Sequence, residues 1–175
     1  GDWSSDVCSP DLKFFVKGVA YGPSAPNAAG QPWAPAEQTA ADFAQIRELG
    51  ANVARVYYVP PKWILDLAQQ HGLKLLVDIP WNKHLCFLDD PEERESARNA
   101  VRRAVISCAR HPAVFAFSVA NEIPPDVVRW HGAPEIAEFI DELVAEAKSL
   151  DPDCLCTFTN FPPTEFLRPQ NLDFA

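Results

Sequence analysis

One carboxylate stands where a chain of this kind could use it. Glu122 directly follows Asn121 and the apolar run Phe115-Ala116-Phe117-Ser118-Val119-Ala120. A carboxylate closing such a run is costly to leave unpaired in dry surroundings. Partial burial raises a glutamic acid's pKa, the adjustment that a proton donor to a glycosidic oxygen requires. The alternative is a structural glutamate held by a lysine, an arginine or a backbone amide. Other polar and aromatic residues also fall just after apolar runs: Tyr21, Tyr57 and Tyr58, Trp81, Asn82 and His84, and Asn160. Aromatic faces stack on the C–H side of sugar rings and amides hydrogen-bond to hydroxyls, so this set suits carbohydrate. No phosphate-cradling loop accompanies it.

Metal chemistry finds less support. His71, His84, His111 and His131 are scattered over helix ends and loops, and Lys17-Gly18-Val19-Ala20 lacks the His-x-His that a metal hydrolase carries on its first strand. Cys86, Cys108, Cys154 and Cys156 do not form the paired C-x-x-C of a zinc ribbon and read as free thiols. No metal ligand set and no cofactor are expected.

The elements that would position these residues alternate between strand and helix. Phe14–Ala20 reads as a strand. Thr39–Leu49 reads as a helix, with capping-box-like spacing between Thr39 and Asp42 and a stop at Gly50. Val53–Val59 is a second strand, followed by a helix from Pro61 that closes at Gly72. Lys74–Ile79 is a third strand, its apolar run suited to burial on both faces. A helix then starts at Asp90-Pro91, with Glu92 and Glu93 in its first turn and Arg110 near its end. Val114–Val119 is a fourth strand. The next helix, Pro134–Leu150, places Ile136, Phe139, Ile140, Leu143, Val144, Ala147 and Leu150 on one stripe. Leu155–Asn160 is a fifth strand, and Leu172–Ala175 reads as the start of a sixth.

Repeated β-α units predict an α/β fold with a parallel sheet. A doubly wound nucleotide-binding sheet would show a Gly-x-Gly-x-x-Gly turn after its first strand, and Gly18-Val19-Ala20-Tyr21-Gly22 misses it. A (β/α)8 barrel uses about 30 residues per unit, so the roughly 163 residues from Lys13 onward hold about five and a half units. The expected fold is therefore a partial TIM barrel, with its chemistry at the carboxyl ends of the strands.

Composition bounds the rest. With 47% hydrophobic residues and no apolar run of membrane-spanning length, the chain reads as neither disordered nor membrane-crossing. A net charge of −9 and no basic patch argue against nucleic acid as a partner. Residues 1–12 share no periodicity with the rest of the chain. The run Asp2 to Leu12 resembles a translated sequencing adapter, and residues 1–12 are read as a non-native or disordered tail. The chain contains no methionine, so it is expected to be a piece of a longer reading frame.

Several blocks in order resemble the catalytic barrel of the clan A glycoside hydrolases, most nearly family 2, the β-galactosidase and β-glucuronidase type. They are Arg47-Glu48-Leu49-Gly50-Ala51-Asn52-Val53-Ala54-Arg55, Leu65-Asp66-Leu67 with Gly72-Leu73, Val77-Asp78-Ile79-Pro80, Arg110-His111-Pro112-Ala113-Val114, and Phe117 to Glu122. The resemblance implies that residues 13–175 are the N-terminal part of such a barrel and that the enzyme retains anomeric configuration. It makes Glu122 the general acid/base and Asn121 the ligand of the sugar 2-hydroxyl. Arg55 would lie against the nucleophile, a second glutamate on a seventh strand beyond this chain, while Tyr58 and Trp81 are candidate sugar platforms. Two departures bear on sugar specificity: Tyr57-Tyr58 stand where the family usually has a histidine, and Asp78 where it tends to have glutamate. The rival expectation is a barrel that binds carbohydrate without catalysis.

Overall fold

The computed structural model describes residues 13–27, 30–108 and 110–174; the tail expected over residues 1–12 lies outside them. Five strands form one parallel sheet: β1 (Gly18–Tyr21), β2 (Val53–Val56), β3 (Lys74–Asp78), β4 (Val114–Asn121) and β5 (Cys156–Thr159). Their spatial order is their chain order, β1-β2-β3-β4-β5, with parallel pairing throughout. A doubly wound sheet reverses direction at a switch point, whereas an order that steps one strand at a time is that of a barrel wall. The α/β, partial-barrel expectation therefore holds.

The crossovers are α1 (Ala36–Glu48), α2 (Lys62–Gln70), α3 (Pro91–Cys108), and the pair α4 (Pro125–His131) and α5 (Ala133–Leu150). α5 buries Ile136, Phe139, Ile140, Leu143, Val144 and Ala147, six of the seven expected stripe positions; Leu150 is exposed. α3 buries Ala97, Ala100, Val101, Ala104, Val105 and Cys108 and packs chiefly against α5. The Asp90 carboxylate accepts the Glu92 N–H at 2.8 Å and caps this helix.

Three local expectations are corrected. α1 starts at Ala36, not Thr39: Pro35 opens the helix, and the Thr39 hydroxyl donates to the Ala34 carbonyl instead of capping. β1 starts at Gly18, and Phe14 and Phe15 stay exposed. There the Asn52 side chain accepts the Lys17 N–H and donates to the Phe15 carbonyl, beside a backbone bond from the Asn52 N–H to the Lys17 carbonyl. Leu172–Phe174 forms no sixth strand; it runs beside β5 through the Asp173 N–H to the Cys156 carbonyl at 3.0 Å.

Alternate residues face opposite sides of the sheet. Ala54, Val56, Leu75, Val77, Phe117 and Val119 join the apolar cluster with the helices. The other face carries Arg55, Asp78, Ser118 and, after a shift in register, Asn121 and Thr159.

Candidate active site

That shift shapes the site. Ser118 pairs with Thr157, but Asn121 pairs with Thr159, so β4 advances three residues while β5 advances two. Such an irregularity bends a strand and re-aims the residues after it. The Ser118 hydroxyl fills the gap by donating to the Ala120 carbonyl at 2.8 Å and accepting the Thr159 N–H at 3.3 Å. The two hydroxyls of Ser118 and Thr159 are also hydrogen-bonded at 2.7 Å.

Arg55 crosses three strands. Its Nε and Nη2 donate to Asp78 Oδ2 at 2.9 and 2.7 Å, and Nη2 also donates to Asn121 Oδ1 at 2.5 Å. Asp78 is 3% exposed and further accepts the Thr159 hydroxyl at 3.4 Å. The Tyr57 ring lies against the guanidinium, 4.9 Å from Cζ to centroid. Arg55, Asp78, Asn121, Ser118 and Thr159 thus form one polar row at the carboxyl ends of β2 to β5.

Glu122 comes directly after this row. Its N–H donates to the Thr159 carbonyl at 2.8 Å, so the backbone is still tied to β5, while its φ of 49° lies in the left-handed region. The side chain is exposed, unlike the partly dry setting expected from the sequence. The residue lies one step past the strand, where the chain turns away toward α4.

The remaining expected residues divide. Trp81 is half-buried; its indole N–H donates to the Val119 carbonyl at 2.8 Å and its ring packs edge-on against Phe87 and Phe139. Tyr58 is 40% exposed in a groove with Trp33, Val59, Pro60 and Pro80, and it is Tyr57, not Tyr58, that stacks on Arg55. Tyr21 donates to Asp42 Oδ2 at 2.9 Å, and burial pushes its hydroxyl pKa up to about 12, as suits a structural tyrosine. Asn160 is engaged by the following turn, accepting from Thr164 Oγ1 at 2.6 Å and donating to the Thr164 carbonyl at 2.7 Å.

Lys83 follows β3 at the same end of the sheet, a placement that the sequence reading did not single out. It is half-buried after β3, and burial lowers its ammonium pKa, while the negative charges of Asp78 and Glu122 oppose that shift. The only sequence signal was its nearness to Trp81. A carboxylate, an amide, a guanidinium and an ammonium together can bind hydroxyl-rich ligands and move a proton.

No protein-family model matches the chain. Over 132 residues it is 26% identical to a 1,3-β-glucanosyltransferase of Aspergillus fumigatus, covering 72% of this chain and 29% of that protein. In fold it resembles the β-glucuronidase of Parabacteroides merdae (TM-score 0.67, 19% identity, 87% of this chain and 18% of that one). It also resembles a family GH2 β-galacturonidase of Eisenbergiella tayi (0.66, 20%, 83% and 25%) and a GH5_18 protein of Streptomyces cattleya (0.59, 15%, 72% and 39%). The likeness to these solved structures is one of fold. The chain spans less than a third of the curated relative that it matches.

Proposed function

We propose that residues 13–175 are the N-terminal part of a (β/α)8 barrel that cleaves O-glycosidic bonds with retention of configuration. Glu122 gives its proton to the leaving oxygen, then takes one from the water that opens a covalent glycosyl-enzyme. Asn121, its carbonyl oxygen held by Arg55, donates from Nδ2 to the sugar 2-hydroxyl, a contact that tightens as the oxocarbenium-like state forms. The attacking carboxylate belongs to a later strand outside these 175 residues, at about 5 Å from Glu122. Tyr58 and Trp81 contribute sugar contacts, and no cofactor takes part. The observation that carries this reading is the Arg55–Asn121 hydrogen bond, with Glu122 next in the chain at the mouth of the sheet.

In the complete protein, Glu122→Gln should lower turnover by about 10²–10⁴-fold on glycosides with poor leaving groups, and much less on an activated aryl glycoside. Equal losses on both substrates would remove Glu122 from the acid role. The 175-residue chain by itself should show no turnover, and measurable hydrolysis by the purified piece would contradict the placement of the second carboxylate.

The identity to a glucanosyltransferase favours a second reading, in which a sugar hydroxyl replaces water in the second step. Glu122 then deprotonates the acceptor by the same geometry. Product analysis separates the two: oligosaccharides longer than the substrate indicate transfer, and free reducing sugar alone indicates hydrolysis.

A further inference from the structure

A second group of side chains converges where the β3–α3 loop meets the end of α4. Cys86, Asp89 and His131 each offer one donor atom, and these three atoms lie within 4.8 Å of one another. Cys86 and Asp89 belong to the loop, and His131 is the last residue of α4.

The imidazole is fixed. Its side chain is 3% exposed and the Phe87 ring packs 5.4 Å away; the Leu88 amide lies 3.5 Å from Nε2, a long contact that is given up when Nε2 carries the ring proton and Nδ1 binds the ion. Nδ1 stands 3.8 Å from Asp89 Oδ1, beyond hydrogen-bond reach. Two donors bound to one tetrahedral ion through bonds of about 2.0–2.1 Å lie roughly 3.3 Å apart, so a small turn of the carboxylate closes the difference. The other Asp89 oxygen accepts the Trp130 indole N–H at 2.6 Å, the kind of support that orients a metal-binding carboxylate. Cys86 and Asp89 are exposed.

A thiol, an imidazole and a carboxylate also make a nucleophilic relay, but that arrangement needs the ring between the other two groups, one at each nitrogen. Here all three donors are mutually close, so they face a common centre. Thiolate and imidazole select a borderline or soft transition ion, whereas magnesium and calcium prefer oxygen throughout.

We propose that Cys86, Asp89 and His131 bind one zinc ion, with the fourth position open to water, and that the ion ties the β3–α3 loop to α4. Binding takes the Cys86 thiolate and releases its proton to solvent. The loop so held carries Lys83 and His84 at the rim of the strand ends, yet the site stands independently of the proposed glycosidic chemistry.

The test uses protein stripped with a chelator and titrated with Co²⁺, then Zn²⁺. One equivalent of Co²⁺ should bind with a thiolate-to-metal charge-transfer band, and Zn²⁺ should displace it. Cys86→Ser should abolish the band. Asp89→Asn should weaken zinc binding by more than the roughly 10–100-fold that accompanies loss of a merely orienting group. His131→Ala should do the same, but it opens a buried position; the two exposed substitutions carry the test if that variant fails to fold. His84→Ala, which removes an exposed imidazole from the same loop, should bind as the parent does. Absence of stoichiometric uptake, a band that survives Cys86→Ser, or an equal loss in His84→Ala would overturn the proposal.

Discussion

Arg55 is the side chain through which β2, β3 and β4 meet, and its value lies in what it leaves behind when removed. Asp78 is buried, with two Arg55 nitrogens and one threonine hydroxyl as its donors. Arg55→Ala would strand a carboxylate in a site with little water, at a cost of about 3 kcal/mol. Arg55→Lys keeps the charge but loses the planar fork and the stack on Tyr57, so its stability should fall between the two. Chemical denaturation of the three proteins checks the order; an alanine variant as stable as the parent would show that the pair adds nothing. The placement of Arg55, Asn121 and Glu122 at strand ends was legible in the sequence because each falls in or just after an apolar strand run. Tyr57 was not preferred over Tyr58, because which of two adjacent tyrosines faces the guanidinium depends on where β2 stops. Lys83 and the Cys86–Asp89–His131 group are non-local meetings of loops, which spacing along the chain does not encode.

At the scale of elements, α3 carries a pH signature. Burial raises the Cys108 thiol from 9.0 to about 11. The folded form therefore holds this proton more tightly than the unfolded chain does. Its contribution is complete below pH 9 and is lost as pH climbs toward about 11, on the order of 2–3 kcal/mol in all. Tyr21 acts in the same direction, with its own window ending near 12. Melting temperature should thus decline from about pH 9 upward, and Cys108→Ala should make that decline shallower. An unchanged slope in the variant would mean that the thiol does not report folding. Periodicity identified α5 and capping chemistry identified α3, since both are long and amphipathic or clearly punctuated. α4 escaped because the seven residues Pro125–His131 are too few for a period to emerge. α1 was started late because Pro35, not a threonine hydroxyl, opens it.

Across the whole molecule, consecutive strand order makes β3 the middle of the described sheet, with two strands on either side. Leu75 and Val77 are fully buried there, whereas Gly18 and Ala20 of β1 are exposed. Amide exchange should therefore be slowest in β3 and β4 and fastest, among the strands, in β1. β1 amides as protected as those of β3 would show that further structure covers that edge. The order itself was readable from the alternation of strand and helix and from the missing phosphate-binding turn. The register shift at the end of β4 was not, because it depends on how Ser118 and Thr159 share a hydrogen bond across two strands.

Glu122 occupies a left-handed backbone conformation that glycine and, less readily, asparagine or aspartate adopt, at a cost of roughly 1–2 kcal/mol for an ordinary L-residue. The residue assigned the chemistry is thus also a flaw in the scaffold. Directed evolution for heat resistance alone would discard it, because glycine or asparagine at position 122 relaxes the turn at once. A sturdier descendant obtained that way would be a sugar-shaped shell with nothing left to give, and a glutamate retained there would be the mark of purpose rather than of architecture.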